Sequence, residues 1–199
     1  MTKPQTATVM CEDGLRRCFW CANDPMYMEY HDAEWGRPEH DDLKIFEKLC
    51  LEGFQAGLSW ITILRKREAF RLGFKGFDPH VVACFGKRDV DRLMNDTGIV
   101  RNRQKIEATI SNAKVMVGLL DSDISLSEIF WSHAPRKAPK IPRRVGDHVA
   151  TTPESIALSK DLLSRGFRFV GPTTMYAAMQ SLGLVNDHFL SCAFRTSDT

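Results

Sequence analysis

The amino-acid sequence predicts an all-α protein, and three observations carry that prediction. Apolar residues recur at helical spacing in one segment after another, as at Leu43, Phe46, Leu49, Cys50 and Phe54. Helix punctuation recurs with them: a capping residue followed by proline at Asp78-Pro79 and Thr152-Pro153, and closing glycines at Gly166 and Gly183. Period-two alternation is confined to Phe167, Arg168, Phe169 and Val170, too short a run to found a sheet.

Taken in order, residues 1–14 are polar and aperiodic and read as a disordered or loosely attached tail. Aromatic density then rises between residues 17 and 36, with Phe19, Trp20, Tyr27, Tyr30 and Trp35, and His31 among them. Asp41 and Asp42 are N-cap candidates for a helix that runs on through Phe54. Gly53 and Gly57 weaken its end and permit a turn or a close approach. A second helix is expected over residues 59–72, with Ile61, Leu64 and Phe70 as its apolar face. Short helices follow Pro79 and Gly86. The run Asp96-Thr97-Gly98-Ile99-Val100-Arg101 reads as a tight turn into a long helix over 102–120, and 125–131 as one or two further turns. Pro135, Pro139 and Pro142 among basic residues make 133–150 a long loop or mobile segment. Helices are expected at 152–166, 173–182 and 187–194, with 195–199 as a tail. Residues 15–194 thus read as one domain.

A length of 199 residues suits one good hydrophobic core. The 43% hydrophobic and 26% charged residues are those of a soluble globular protein. No apolar run is long enough to span a membrane and the N-terminus lacks a signal-peptide core, so a cytoplasmic protein is expected. Its six cysteines then read as thiols, core residues or metal ligands rather than a disulfide framework. A net charge of +2 announces no nucleic-acid partner. Three basic clusters, at 65–75, 101–105 and 136–144, are compatible with a polyanion or with solvated faces.

Three constellations can carry chemistry. His188 and Cys192 lie one helical turn apart, as two ligands of a tetrahedral zinc would, and Cys18 and His31 are the right types to complete the set. Cys11 and Cys21 are alternative ligands; a redox role for Cys18-Phe19-Trp20-Cys21 lacks the βαβ context such pairs use. Next, the Gly98 turn followed by basic residues can aim backbone N–H groups and a helix N-terminus at a phosphate, although many such turns bind nothing. Finally, Glu52 lies inside an apolar and aromatic run, where a charge is costly unless compensated. It either faces solvent from an amphipathic helix or joins Tyr27, Tyr30 and Trp60 in reading a flat heterocycle, the aromatics otherwise being core.

In combination these motifs are recognisable. Cys18-Phe19-Trp20, Tyr30-His31-Asp32-x-Glu34-Trp35-Gly36, residues 52–60 as Glu-Gly-Phe-Gln-Ala-Gly-Leu-Ser-Trp, Gly98-Ile99-Val100-Arg101 and Gly183-Leu184-Val185-Asn186-Asp187-His188 closely resemble 3-methyladenine DNA glycosylase I, a helix-hairpin-helix DNA repair family. The likeness covers residues 15–194 in the family's order. It implies a helix-hairpin-helix glycosylase fold whose two chain ends are joined by a structural zinc on Cys18, His31, His188 and Cys192. It implies that double-stranded DNA is held at Gly98, Val100 and Arg101, with Gly57 and Leu58 at the gap left by a flipped base. The base would enter a pocket of Glu52, Tyr27, Tyr30 and Trp60, with Glu52 also in the catalytic role, and would leave as free 3-methyladenine without strand cleavage. Asp121 and Asp123 follow the long helix, where related families place a catalytic aspartate that this one is thought to lack. A monomer is expected. The alternative is a non-catalytic helix-hairpin-helix DNA-binding module that has lost the pocket.

Overall fold

The computed structural model describes residues 6–196; residues 1–5 and 197–199, both in the expected tails, lie outside the described residues. It is mostly helical, as expected, with one small antiparallel hairpin of β1 (Thr8–Met10) and β2 (Arg16–Cys18). That hairpin corrects the reading of 1–14 as a loose tail. Val9 pairs with Arg17, and the turn closes where the amide of Gly14 donates to Cys11. It is also tied to the far end of the chain: the amide of Ala193 donates to the Arg16 carbonyl, and the Thr8 and Ser191 hydroxyls lie 2.8 Å apart.

The helices are α1 (Pro25–Ala33), α2 (Asp42–Gln55), α3 (Trp60–Gly73), α4 (Pro79–Ala83), α5 (Lys87–Asn95), α6 (Arg103–Leu120), α7 (Leu126–Ser132), α8 (Pro153–Ser164) and α9 (Pro172–Ser181). α1 has no counterpart in the sequence reading. Its start signal is present, since Asp24 accepts from the amide of Tyr27 and Pro25 takes the first position, but its nine residues are too few to show a sustained apolar period. Conversely, 187–194 is not a helix. Asp187 accepts from Tyr176 at 2.6 Å and Gln180 at 2.7 Å, and isolated turns such as Cys192 to Phe189 replace the expected ladder. His188 and Cys192 still converge, through these turns rather than through helical spacing. Residues 133–150 are irregular apart from one 3-10 turn at Val145–Asp147.

α2 is the centre of the molecule. Asp41 caps it by accepting from the amides of Leu43 and Lys44, and it packs against α3, α6, α7 and α9. Ile45, Phe46, Leu49, Cys50, Leu51 and Phe54 are all buried, each large apolar side chain contributing about 1.5–3 kcal/mol. No helix among the described residues is long and apolar enough to cross a membrane.

Candidate functional site

Three neighbouring helices converge where α2 ends. α1 supplies Tyr27 and Tyr30, α2 supplies Glu52, and α3 begins with Trp60. Together with Trp20 and Gln55 they line a cavity of about 320 Å³. The rings form a connected wall, with Trp20 and Tyr27 at 4.8 Å, Tyr27 and Tyr30 at 6.4 Å, and Tyr30 and Trp60 at 5.4 Å between centroids. Glu52 is 4% exposed, which decides against the solvated face. Its carboxylate receives no hydrogen bond from the described residues; Lys48 Nζ, 3.8 Å away, is its ion-pair partner. Burial pushes the carboxyl up to about 7, and Lys48 opposes that shift. Burial also raises the Tyr27 phenol, to about 12, and that of Tyr30, so both remain protonated at neutral pH. The indole Nε1 of Trp60 is buried without an acceptor, a state that costs about 1–3 kcal/mol until a ligand or solvent takes the bond. A buried carboxylate with unspent acceptor capacity inside an aromatic box suits a flat, cationic, amine-bearing ring.

Lys48 is absent from the sequence reading, although its position four residues before Glu52 on one helix was a visible signal. Its Nζ donates to the Tyr30 hydroxyl at 2.7 Å and lies 3.8 Å from the Trp60 ring centroid. The irregular segment 133–150 also has a place, since His148 and Val149 line the same cavity. His148 is fixed by donating to the Asp187 carbonyl at 3.0 Å. Asp121 and Asp123 are exposed and outside this lining.

The Cys18, His31, His188 and Cys192 side chains are buried, with their donor atoms all within 4.8 Å of one another. His31 Nδ1 donates to Asp32 at 2.7 Å and His188 Nε2 donates to the Trp35 carbonyl at 3.1 Å. That leaves His31 Nε2 and His188 Nδ1 as lone-pair nitrogens facing each other at 3.1 Å, an arrangement that repels unless a cation lies between them. The Cys192 thiol lies 3.5 Å from both nitrogens, and that of Cys18 lies 3.8 Å from His188 Nδ1. The three sulfur–nitrogen spacings fall within, and the nitrogen–nitrogen spacing just below, the ~3.3–3.8 Å edges of a tetrahedron drawn with typical zinc–nitrogen and zinc–sulfur bonds. The group fits a metal ion. Gly36, at φ +75°, makes room for it, because a Cβ there would sit 3.1 Å from His188 Nε2. Asp32 is held in turn by Arg17, whose Nε and Nη2 reach it at 2.9 and 2.8 Å. Cys21 stands outside the set, its thiol donating to the Cys18 carbonyl, and so does Cys11, whose thiol donates to Val9.

The loop between α2 and α3 exposes Leu58 beside Gly57, which adopts φ +84°. Lys105 of α6 holds the loop's base by donating to the carbonyls of Phe54 at 2.8 Å and Ala56 at 2.7 Å. The hairpin of α5 and α6 lies apart from the cavity but is anchored to α3. Lys66 donates to the carbonyls of Thr97 and Gly98, and the Gly98 amide donates to Asp96 at 2.7 Å. Val100 is half-buried and Arg101 exposed.

The family model described as methyladenine glycosylase matches residues 20–196. The chain is 47% identical over 184 residues to the DNA-3-methyladenine glycosylase of Haemophilus influenzae, covering 91% of this chain and 98% of that protein. A crystal structure of 3-methyladenine DNA glycosylase I superposes with a TM-score of 0.86 at 47% identity, over 89% of this chain and 98% of the other. A structure of the Staphylococcus aureus enzyme, describing its recognition of 3-methyladenine, matches at TM-score 0.85 and 34% identity, over 97% and 100% of the two chains. With the fold and nearly the full length in agreement, this chain belongs to the methyladenine glycosylase family.

Proposed function

We propose that this protein excises N3-methylated adenine from alkylated double-stranded DNA by hydrolysing the N-glycosidic bond, without cutting the strand. The observation that carries the reading is Glu52, a buried carboxylate with unspent acceptors in an aromatic cavity. Methylation at N3 makes the base a cation. Its face stacks on Tyr30 and Trp60 while Glu52 accepts from its exocyclic amine and balances its charge. The bond from sugar to base then breaks with its electron pair going to the base, which leaves neutral, and water adds to the sugar carbon and loses a proton. A neutral leaving group needs no strong acid, so Glu52 acts chiefly by recognising and stabilising the cationic base.

The base reaches the cavity only when flipped out of the stack. In this reading Leu58, exposed on the Gly57 loop, fills the gap, and the turn carrying Gly98, Val100 and Arg101 holds the phosphate backbone. The metal site is assigned to zinc, held by Cys18, His31, His188 and Cys192; four protein ligands leave no open position, so its role is structural. An intact cavity argues against a DNA-binding module that has lost its pocket.

The test is release of free 3-methyladenine from alkylated duplex DNA, followed chromatographically. Loss of a charged hydrogen-bond partner costs about 1.5–3 kcal/mol, so Glu52→Ala should lower kcat/KM at least about tenfold. Absence of released base from folded, metal-loaded protein would sink the reading.

A further inference from the structure

Lys48 lines a second cavity of about 380 Å³, behind the wall that Tyr30 and Trp60 present to the base pocket. It is one helical turn before Glu52 on α2 and only 12% exposed. Three groups hold its ammonium: the Tyr30 hydroxyl at 2.7 Å, the Trp60 ring at 3.8 Å and the Tyr30 ring at 4.6 Å. The other acids lining this cavity are each engaged by another cation, Glu39 by Lys44 at 3.0 Å. Arg67 of α3 grips Glu34 at 2.6 and 2.9 Å, and Arg71 reaches Glu47 at 2.9 Å. Glu52 is the carboxylate left to Lys48, and the gap of 3.8 Å is too long for a hydrogen bond.

A close ion pair would have occupied one of the Glu52 oxygens. Here the ammonium spends its hydrogen bond on Tyr30, so it supplies compensating charge while the carboxylate oxygens stay open to a ligand. Because Tyr30 oxygen accepts from Lys48, its own hydrogen must point elsewhere as a donor. We propose that Lys48 is a positioning residue of the base pocket: from behind the aromatic wall it keeps Glu52 charged and leaves both Glu52 and Tyr30 free to bond the base. This rests on the reading of the pocket as the site of a cationic methylated adenine. The charged groups sharing the cavity with Lys48 are Glu34, Glu47, Arg67 and Arg71, with Arg37, Glu39 and Lys44 lining it as well; around Glu52 stand Tyr27, Tyr30 and, from the opposite wall, His148. Among these, Lys48 is the cation set against Glu52.

The experiment measures kcat/KM for 3-methyladenine release between pH 5.5 and 9 for the wild type, K48Q, K48M and K48R. K48Q keeps a donor for Tyr30 without the charge, so it separates electrostatics from packing and serves where K48M folds poorly. In K48Q and K48M the acidic limb should move upward by about one pH unit, which is about a tenfold loss near pH 6.5 largely recovered at pH 8.5, and K48R should restore the wild-type limb. A K48Q profile with the wild-type acidic limb, or an equal loss at every pH, overturns the assignment of Lys48. A wild type that releases no base overturns the pocket reading and this proposal together, which distinguishes the two failures.

Discussion

Glu52, the residue proposed to read the base, is buried at a cost to the fold, and the sign of that cost is testable. Burial raises its carboxyl from 4.5 in the unfolded chain to about 7 in the folded protein. A raised carboxyl favours the folded state below pH 4.5, and the advantage drains away as the pH rises through 7. At pH 8 the wild type therefore carries the full penalty, at most about 3.5 kcal/mol at ~1.4 kcal/mol per unit. Glu52→Gln removes it, although Lys48 then loses its partner and offsets part of the gain. The variant should be inactive or nearly so, yet more stable by about 1–2 kcal/mol at pH 8. That margin should narrow to a fraction at pH 5. Urea unfolding at both pH values checks this, and a variant less stable at pH 8 would contradict it. Lys48 follows the opposite direction, burial lowering its ammonium to about 8; because Glu52 is already charged at that pH, base excision should fall off below pH 7 and hold above 8.

At the scale of elements, the hairpin and the loop before α3 form one braced unit. Gly98 packs so close to α3 that a Cβ would approach that of Ala69 to 2.8 Å and Asp96 Oδ1 to 2.9 Å. Gly98→Ala should cost about 1–3 kcal/mol as the turn is pushed off α3. It should also weaken binding to undamaged duplex DNA, with excision from short single-stranded substrate less affected; fluorescence anisotropy of both substrates separates the two. Unchanged duplex affinity would remove the turn from the DNA interface. The Gly98 turn was legible because glycine and the residues around it act through local backbone geometry. The helices α2, α3 and α6 were legible for the same reason, their periods and caps being local. The hairpin at Thr8–Met10 was not, since its order comes from Ser191 and Ala193 at the other end of the chain. Lys105 was hidden likewise: nothing in its own helix announces that its ammonium caps the end of α2. The error at 187–194 has the same cause in reverse, because a helical pattern was overruled by the bonds of Asp187 to α9.

Over the whole molecule, the Cys18, His31, His188 and Cys192 group joins β2 and α1 to the segment after α9, and it adjoins the pocket. His31 shares α1 with Tyr27 and Tyr30, and the Trp20 ring bridges the two sites, 5.1 Å from His31 and 4.8 Å from Tyr27. Loss of the proposed zinc should therefore loosen base binding as well as the fold. Cys192→Ala removes a ligand outright: metal content should drop, and the unfolding midpoint should fall and cease to respond to chelator. Asp32→Ala is the sharper test, because it keeps all four ligands and removes only the carboxylate that orients His31 and links it to Arg17. Outer partners of this kind are worth about 10–100-fold in metal affinity. By mass action, Asp32→Ala should be markedly less stable than the wild type at limiting free zinc. Added zinc should recover much of the stability lost, though not the contribution of the Arg17 ion pair itself. Thermal unfolding across a zinc-buffer series reads this directly. A deficit independent of zinc concentration would mean that Asp32 serves only Arg17 and the hairpin, and that the histidine tautomers are set by other means.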